Sequence, residues 1–183
     1  MMTYIFDFDG TLVDSMPVYA KTMIRLFDEN NIEYPEDIVK IITPLGYKGT
    51  AEYVIQLGLK MTADEFIDVA TNYIAYEYQH NIPAKEFVKE KLEELKKRGD
   101  SLNVLTASPH SVLDICLKRL GLYDLFDNVW SCDDFGCTKG ETKIYHEAAN
   151  HLNEKVENCY FVDDNINAVS AAKKSGMITI GVY

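Results

Sequence analysis

The spacing of hydrophobic residues changes twice along the chain and divides the sequence into three parts. Residues 3–8 are apolar apart from Thr3 and Asp7 and predict a buried β-strand. Between residues 16 and 82, apolar side chains recur at helical spacing, and no strand pattern is present. After Pro83, short apolar runs alternate with helical patterns, as in the βα units of a parallel sheet.

The middle part predicts four helices. The first follows Pro17 and ends at Asn30-Asn31, and shorter helices near 36–42 and 50–57 are separated by a predicted loop at 46–49. Thr62 and Glu65 have the spacing of a capping box and therefore open a long fourth helix before Pro83.

The last part alternates regularly. Predicted helices cover 84–98, the segment after Ser108-Pro109, 141–152 and 166–175, and predicted strands cover 102–105, 128–132, 160–162 and 177–182. Ser108 is expected to cap its helix, with Pro109 as the first helical residue. The fold class is therefore α/β, a doubly wound (Rossmann-like) parallel sheet over residues 1–15 and 83–183. Residues 16–82 are predicted to form a small all-helical cap inserted after the first strand.

Composition and charge narrow the function. A chain of 183 residues can bury one core and a small subdomain. The net charge of −11 argues against nucleic acid or an anionic membrane as partner, because both favour basic surfaces. With no transmembrane-length apolar run and no signal-peptide pattern, we expect a cytoplasmic protein, either a monomer or a homodimer. The four cysteines lack metal-site spacing and are expected to be core residues or free thiols.

Two carboxylates interrupt the first apolar strand. Asp7 and Asp9 lie two residues apart, so on an extended chain they point to the same side. Burying two unpaired carboxylates together is costly, so this arrangement predicts a bound cation. The alternative is that both aspartates only cap the turn that Gly10 and Thr11 form.

Other strand ends carry matching chemistry. In doubly wound sheets, ligands bind beyond the carboxyl ends of the strands. The segment Thr106-Ala107-Ser108 offers hydroxyls and backbone N–H groups that suit a phosphate. Lys139 precedes the predicted helix at 141–152, and Asp163 and Asp164 follow the strand at 160–162. Together these residues predict a metal held by oxygen ligands beside a phosphate.

The chain resembles the haloacid dehalogenase-like hydrolase superfamily. Residues 7–15 are similar to its first motif almost residue for residue, and Thr106 stands at the position of the second-motif hydroxyl. Lys139, with Tyr145 six residues later, is similar to the third motif, and residues 161–164 resemble the fourth in its paired-acid form. The position of the helical insertion resembles that of the phosphoglycolate phosphatase and β-phosphoglucomutase branch.

The sequence departs from the family pattern at two motifs. Prolines that usually follow the third-motif lysine are missing, so Lys143 competes with Lys139, although the spacing to the motif tyrosine favours Lys139. The further acid that some members carry after the fourth motif is replaced by Ala168. Whether Asp163 or Asp164 binds metal directly is therefore open, and we favour Asp164 with Asp163 in support.

The resemblance implies a phosphatase that forms an aspartyl-phosphate. Asp7 would be the nucleophile, and Asp9 the general acid and then the general base. Thr106 and Lys139 would orient and neutralise the phosphate, and Ala107 would contribute to substrate binding. The implied cofactor is Mg²⁺, bound by Asp7, the backbone carbonyl of Asp9 and Asp164.

The expected substrate is a small phosphorylated metabolite. We expect the cap to select it, with Lys48 beside Tyr47 as the candidate contact, although Lys48 could equally be a solvated loop lysine. A sugar phosphomutase using the same aspartate pair is the main alternative. A phospho-signalling receiver module is a remote one, because such modules place the acid pair after the first strand and the phosphorylated aspartate in mid-chain.

Overall fold

The protein has an α/β fold built on one parallel sheet. The computed structural model describes residues 1–182, apart from the side chain of residue 44, so residue 183 of the predicted core lies outside the described residues. The strands are β1 (Thr3–Phe6), β2 (Ser101–Thr106), β3 (Asn128–Ser131), β4 (Cys159–Asp163) and β5 (Ile178–Gly181). They lie in the order β3-β2-β1-β4-β5, with every neighbouring pair parallel. The predicted doubly wound α/β sheet is confirmed.

Eight helices accompany the strands within the described residues. They are α1 (Met16–Glu29), α2 (Ile38–Ile42), α3 (Gly46–Gln56), α4 (Ala63–His80), α5 (Val88–Lys97), α6 (His110–Arg119), α7 (Thr142–His151) and α8 (Ile166–Ser175). Short 3₁₀ turns occupy Thr43–Leu45, Tyr123–Leu125, Cys132–Asp134 and Val156–Asn158. The chain divides into two compact units: Met16–Asn81 with α1 to α4, and Met1–Ser15 together with the chain from Ile82 onward. That the first unit serves as a cap stays a prediction.

The helical unit has its own apolar core. Phe27 of α1 and Phe66 of α4 stack with ring centroids 6.4 Å apart, and both side chains are fully buried. The predicted capping box opens α4: the Thr62 N–H donates to Glu65 at 2.8 Å, and the Glu65 N–H donates to the Thr62 hydroxyl at 3.2 Å. Local sequence and packing therefore agree on where this helix begins.

The predicted loop at 46–49 is wrong, because these residues form the first turn of α3. Gly46 has φ +62°, which ends the preceding 3₁₀ turn and redirects the chain straight into the helix. Tyr47 and Lys48 are therefore helical residues, not loop residues.

The sheet is buried by helices on the side that carries Ile5. Ile5 of β1 and Phe161 of β4 pack in one core with residues of α7 and α8. Tyr145 of α7 contacts Phe161 edge to face, with ring centroids 5.0 Å apart. This packing holds α7 and α8 against one face of β1 and β4, the two strands that the predicted acidic residues follow.

Two predicted helix starts in the sheet unit are wrong. The first is α5, which begins at Val88 rather than residue 84, because Phe87 adopts φ +62° and Lys85 N–H instead donates to Leu12 O at 3.0 Å. The second is α6: Pro109 is the N-cap and His110 the first helical residue. Ser108 therefore lies outside the helix, and its hydroxyl is used elsewhere.

None of the helices within residues 1–182 is long and apolar enough to cross a lipid bilayer. Three of the four cysteines, Cys116, Cys132 and Cys159, are buried as free thiols. The predicted cytoplasmic location and the predicted oligomeric state stay predictions.

Candidate active site

Asp7 is held at the end of β1 by backbone hydrogen bonding. Its N–H donates to Val162 O of β4 at 2.8 Å, which continues the parallel ladder by one residue. The chain then turns tightly: the Val13 N–H donates to Phe8 O at 3.1 Å, and Gly10 adopts φ +77°. The Asp7 side chain is 3% exposed, so its carboxylate is buried at the carboxyl end of the sheet.

The acidic residues after β1 and β4 converge. Carboxylate oxygens of Asp7, Asp163 and Asp164 lie within 4.8 Å of one another. Asp164 lies against Gly10 so closely that a methyl group there would be 2.2 Å from Asp164 Oδ2. Gly10 is thus required both by its left-handed backbone and by the approach of this carboxylate.

Lys139 places one ammonium between two of these acids. Its Nζ donates to Asp7 Oδ1 and, at 2.8 Å, to Asp163 Oδ2. The Lys139 side chain is 14% exposed, and that of Asp163 is fully buried. The other oxygen of Asp163 accepts from Asn165 N–H at 2.7 Å. Both oxygens of Asp163 are therefore used in orienting Lys139 and the start of α8.

The structure separates the two candidate lysines. Lys143 is exposed on the surface of α7, where its Nζ lies 3.5 Å from Glu147 Oε1. Lys139 instead forms the ion pair with Asp7. The Tyr145 hydroxyl lies 2.6 Å from Lys139 O and donates to it, which explains the six-residue spacing physically. Tyr145 fixes the backbone of the lysine from within the core.

Electrostatics favour a further cation at this site. Burial, reinforced by the charges of Asp163 and Asp9, raises the pKa of Asp7 to about 7 despite the opposing charge of Lys139. Burial also raises the pKa of Asp164, with Asp163 adding to the effect. Burial disfavours the ammonium of Lys139, but Asp7 and Asp163 outweigh it and raise the pKa of Lys139. One ammonium does not neutralise three carboxylates, and their oxygen ligands suit Mg²⁺.

The loop after β2 forms a hydrogen bond with the side chain of Asp9. Ser108 Oγ donates to Asp9 Oδ2 at 2.5 Å, and the Ser108 N–H donates to Thr106 Oγ1 at 3.1 Å. Thr106 is buried, whereas Ala107 is exposed on the loop. The structure thus brings Thr106, Ala107 and Asp9 to the same end of the sheet.

Sequence reasoning missed two residues of this site. Ser108 was expected only as a cap and phosphate-loop residue, although a second hydroxyl two positions after Thr106 was a usable signal. Lys85 lies close enough to Asp164 for its charge to oppose the rise of the Asp164 pKa, and nothing in the sequence distinguished it from a surface lysine. Lys48 belongs to the other compact unit, where it is exposed on α3, and its predicted contact with substrate stays a prediction.

The site therefore combines three clustered carboxylates and one buried lysine at the carboxyl end of an α/β sheet. Residues 4–182 match the family described as haloacid dehalogenase-like hydrolase, and the chain belongs to that family. The predicted resemblance is confirmed, and the protein is a hydrolase.

Relatives of known sequence and structure agree with this family. The chain is 28% identical over 191 residues to a phosphoglycolate phosphatase from Colwellia psychrerythraea, covering 97% of this chain and 82% of the relative. It is 27% identical over 179 residues to the pyrophosphatase PpaX from Bacillus velezensis, covering 97% and 81%. A crystal structure of a Thermotoga maritima protein, provisionally named β-phosphoglucomutase, superposes with a TM-score of 0.91 at 25% identity, covering 100% of this chain and 86% of that one.

Proposed function

We propose that this enzyme is a phosphatase that hydrolyses a small phosphate monoester through a phosphorylated Asp7. The observation that carries the proposal is the pairing of a buried Asp7, held by the Lys139 ammonium, with an Asp9 carboxyl oriented by Ser108. The similarity to a phosphoglycolate phosphatase and a pyrophosphatase supports phosphate-ester or phosphoanhydride chemistry.

In the first half-reaction, Asp7 attacks phosphorus and the leaving oxygen departs. The attacking form of Asp7 is the carboxylate, which the neighbouring Lys139 ammonium favours. Thr106 and the backbone N–H groups of the loop after β2 orient the non-bridging oxygens. Lys139 also offsets the negative charge that the substrate brings to a protein of net charge −11.

Asp9 handles the protons. As a general acid it protonates the leaving alcohol, and as a general base it then takes a proton from the water that hydrolyses phosphorylated Asp7. The 2.5 Å hydrogen bond from Ser108 holds the Asp9 carboxyl in one orientation for both steps.

The residues present fit a bound Mg²⁺. Asp7, Asp164 and the backbone carbonyl of Asp9 would hold it, whereas Asp163, with both oxygens engaged by Lys139 and Asn165, would act as support. Such an ion supplies positive charge that lowers the repulsion between a carboxylate and a phosphate.

A sugar phosphomutase is the second candidate. The Thermotoga maritima protein with the provisional name β-phosphoglucomutase favours it, since the same aspartate pair serves both reactions. Product analysis after incubation with a hexose phosphate separates them: inorganic phosphate indicates a phosphatase, and an isomeric hexose phosphate indicates a mutase. The hydrolase family leaves the receiver module without support.

Phosphate release from an aryl phosphate, with and without Mg²⁺, tests the proposal. We expect metal-dependent activity that Asp7→Asn abolishes, whereas Asp124→Asn, at an exposed aspartate of the 3₁₀ turn Tyr123–Leu125, keeps it. Asp9→Asn should slow substrates with poor leaving groups more than those with good ones. An Asp7→Asn variant that remains active, with a fold unchanged by circular dichroism, contradicts the proposal.

A further inference from the structure

His110 bridges two carboxylates at the start of α6. Its Nδ1 lies 2.9 Å from Asp114 Oδ1 on the next turn of the same helix. Its Nε2 lies 2.8 Å from Asp134 Oδ2 in the 3₁₀ turn that follows β3. A carboxylate accepts hydrogen bonds and does not donate them, so both contacts are hydrogen bonds only when both ring nitrogens carry a proton. The geometry is therefore that of an imidazolium.

The contact with Asp134 joins two strand ends of the site. Asp134 Oδ2 also accepts from the Ser131 N–H at 2.8 Å, which fixes the carboxylate to the last residue of β3. Ser131 pairs in register with Thr106, the last residue of β2. His110 thus closes a ring of contacts between the loop after β2 and the turn after β3.

The same loop orients the proposed acid and base. Ser108, two residues before His110, donates to Asp9 and to Thr106 Oγ1. Between Ser108 and His110 lies only Pro109, whose ring restricts the backbone. A displacement of His110 is therefore transmitted to Ser108 over a short, stiff segment.

We propose that protonated His110 is a positioning residue, which ties the loop at 106–108 to the turn after β3 and thereby holds Ser108 against Asp9. The inference rests on the proposed function, because it assigns this loop to phosphate binding and Asp9 to proton transfer. His110 touches neither reacting group, so it acts through Ser108.

The arrangement makes the tie dependent on pH. The groups that face His110 are Asp114 from its own helix and Asp134 from the turn after β3. Their hydrogen bonds raise the pKa of His110 above its ordinary value, whereas burial opposes the rise. Above that pKa, the neutral ring keeps one N–H and turns a lone pair toward a carboxylate. The Nδ1–H tautomer loses the contact with Asp134, and the Nε2–H tautomer keeps it but turns its lone pair toward the Asp114 carboxylate, so the neutral ring holds the tie only part of the time. We expect kcat to fall and KM to rise, with a severalfold loss in kcat/KM.

Replacing Asp114 separates this role from a structural one. In Asp114→Asn, the amide can donate to Nδ1 of a neutral ring while Nε2–H still donates to Asp134, so the tie persists in both protonation states. We expect this variant to lack the alkaline fall in kcat/KM that is predicted for wild type. His110→Ala should instead have, at every pH, the low kcat/KM that is predicted for wild type at alkaline pH. His146→Gln, at an exposed histidine of α7, is the control and should follow wild type.

Two readouts keep the outcomes distinct. Phosphate release from an aryl phosphate gives kcat and KM as a function of pH. NMR titration gives the chemical shifts of the His110 ring and of the Ser108 amide as a function of pH, without any turnover. The inference predicts that the chemical shift of the Ser108 amide changes with pH at the same midpoint as that of the His110 ring. This change should be absent in His110→Ala. A Ser108 amide that does not follow His110, or an Asp114→Asn profile identical to wild type, overturns it. Absence of phosphate release in wild type refutes the proposed function instead, and the NMR titration still decides the tie.

Discussion

Replacing Gly10 with alanine should displace the carboxylate of Asp164 while leaving every proposed catalytic side chain in place. The added methyl group would lie 2.2 Å from Asp164 Oδ2 and 2.8 Å from its Cγ, whereas ordinary contact begins at 3.4 Å. The carboxylate must therefore move by about 1 Å. If Asp164 binds Mg²⁺, this movement removes one ligand from its place.

The backbone cost is separable from this displacement. Alanine at φ +77° costs about 1 kcal/mol of the free energy of unfolding, because a left-handed conformation brings its Cβ close to the backbone. Gly99 provides a matched control: its φ is +86°, and a methyl group there has no neighbour within 4 Å. Gly99→Ala should show the same backbone cost without any effect on the site.

The assay compares kcat, the Mg²⁺ concentration for half-maximal activity and the melting temperature of both variants. A misplacement of about 1 Å in an active site can cost about 100-fold in rate, so we expect a loss of that order in Gly10→Ala together with weakened Mg²⁺ dependence. Gly99→Ala should keep wild-type kinetics with a lowered melting temperature. A Gly10→Ala enzyme with wild-type rate and Mg²⁺ dependence refutes the assignment of Asp164 as a metal ligand.

Three further predictions concern the buried charges. Lys139→Met should abolish activity. It should also lower the free energy of unfolding of the metal-free protein, measured by denaturant titration, by about 3 kcal/mol, because it leaves buried carboxylates uncompensated. The control variant Lys143→Met should match wild type. The pKa of Asp7 is about 7, above the ordinary 3.8 of an aspartate, so the folded metal-free protein becomes less stable as pH rises from about 4 to 7. Asp7→Asn lacks this loss, so its melting temperature should rise relative to that of wild type as the pH increases toward 7. A difference in melting temperature that stays constant with pH contradicts the raised pKa. Tyr145→Phe should cost about 1 kcal/mol and lower kcat severalfold, since the Lys139 carbonyl loses its donor; unchanged kcat would show that the tyrosine does not position the lysine.

Sequence predicts much of this site because its chemistry is tied to strand ends. An extended chain over residues 3–8, continued to Asp9, predicted that Asp7 and Asp9 share one side, and the alternation of strands and helices predicted that Thr106 and Lys139 share one edge of the sheet. The spacing to Tyr145 favoured the lysine that the structure places beside Asp7. Each of these inferences depends on regular backbone geometry, which local sequence specifies well.

Contacts between distant segments are where sequence reasoning failed. Ser108 before Pro109 follows the local rule for a helix cap, yet its hydroxyl donates to Asp9, 99 residues away in the chain. The helix start expected at residue 84 was displaced by Phe87, whose left-handed backbone no local signal indicates. At both places a hydrogen bond to a distant segment replaces the local pattern: Ser108 donates to Asp9, and the Lys85 N–H donates to Leu12 O.

The most direct test of the account is to trap phosphorylated Asp7. Asp9→Asn should slow hydrolysis of the intermediate by removing its general base, so acid quench early in turnover of an aryl phosphate should leave phosphate on the enzyme. Mass spectrometry of the digested protein should locate one phosphate on the peptide that contains Asp7, and the Asp7→Asn, Asp9→Asn double variant should show none. Phosphate release by an enzyme whose Asp7 is never phosphorylated, or phosphate found on another residue, would contradict the central claim.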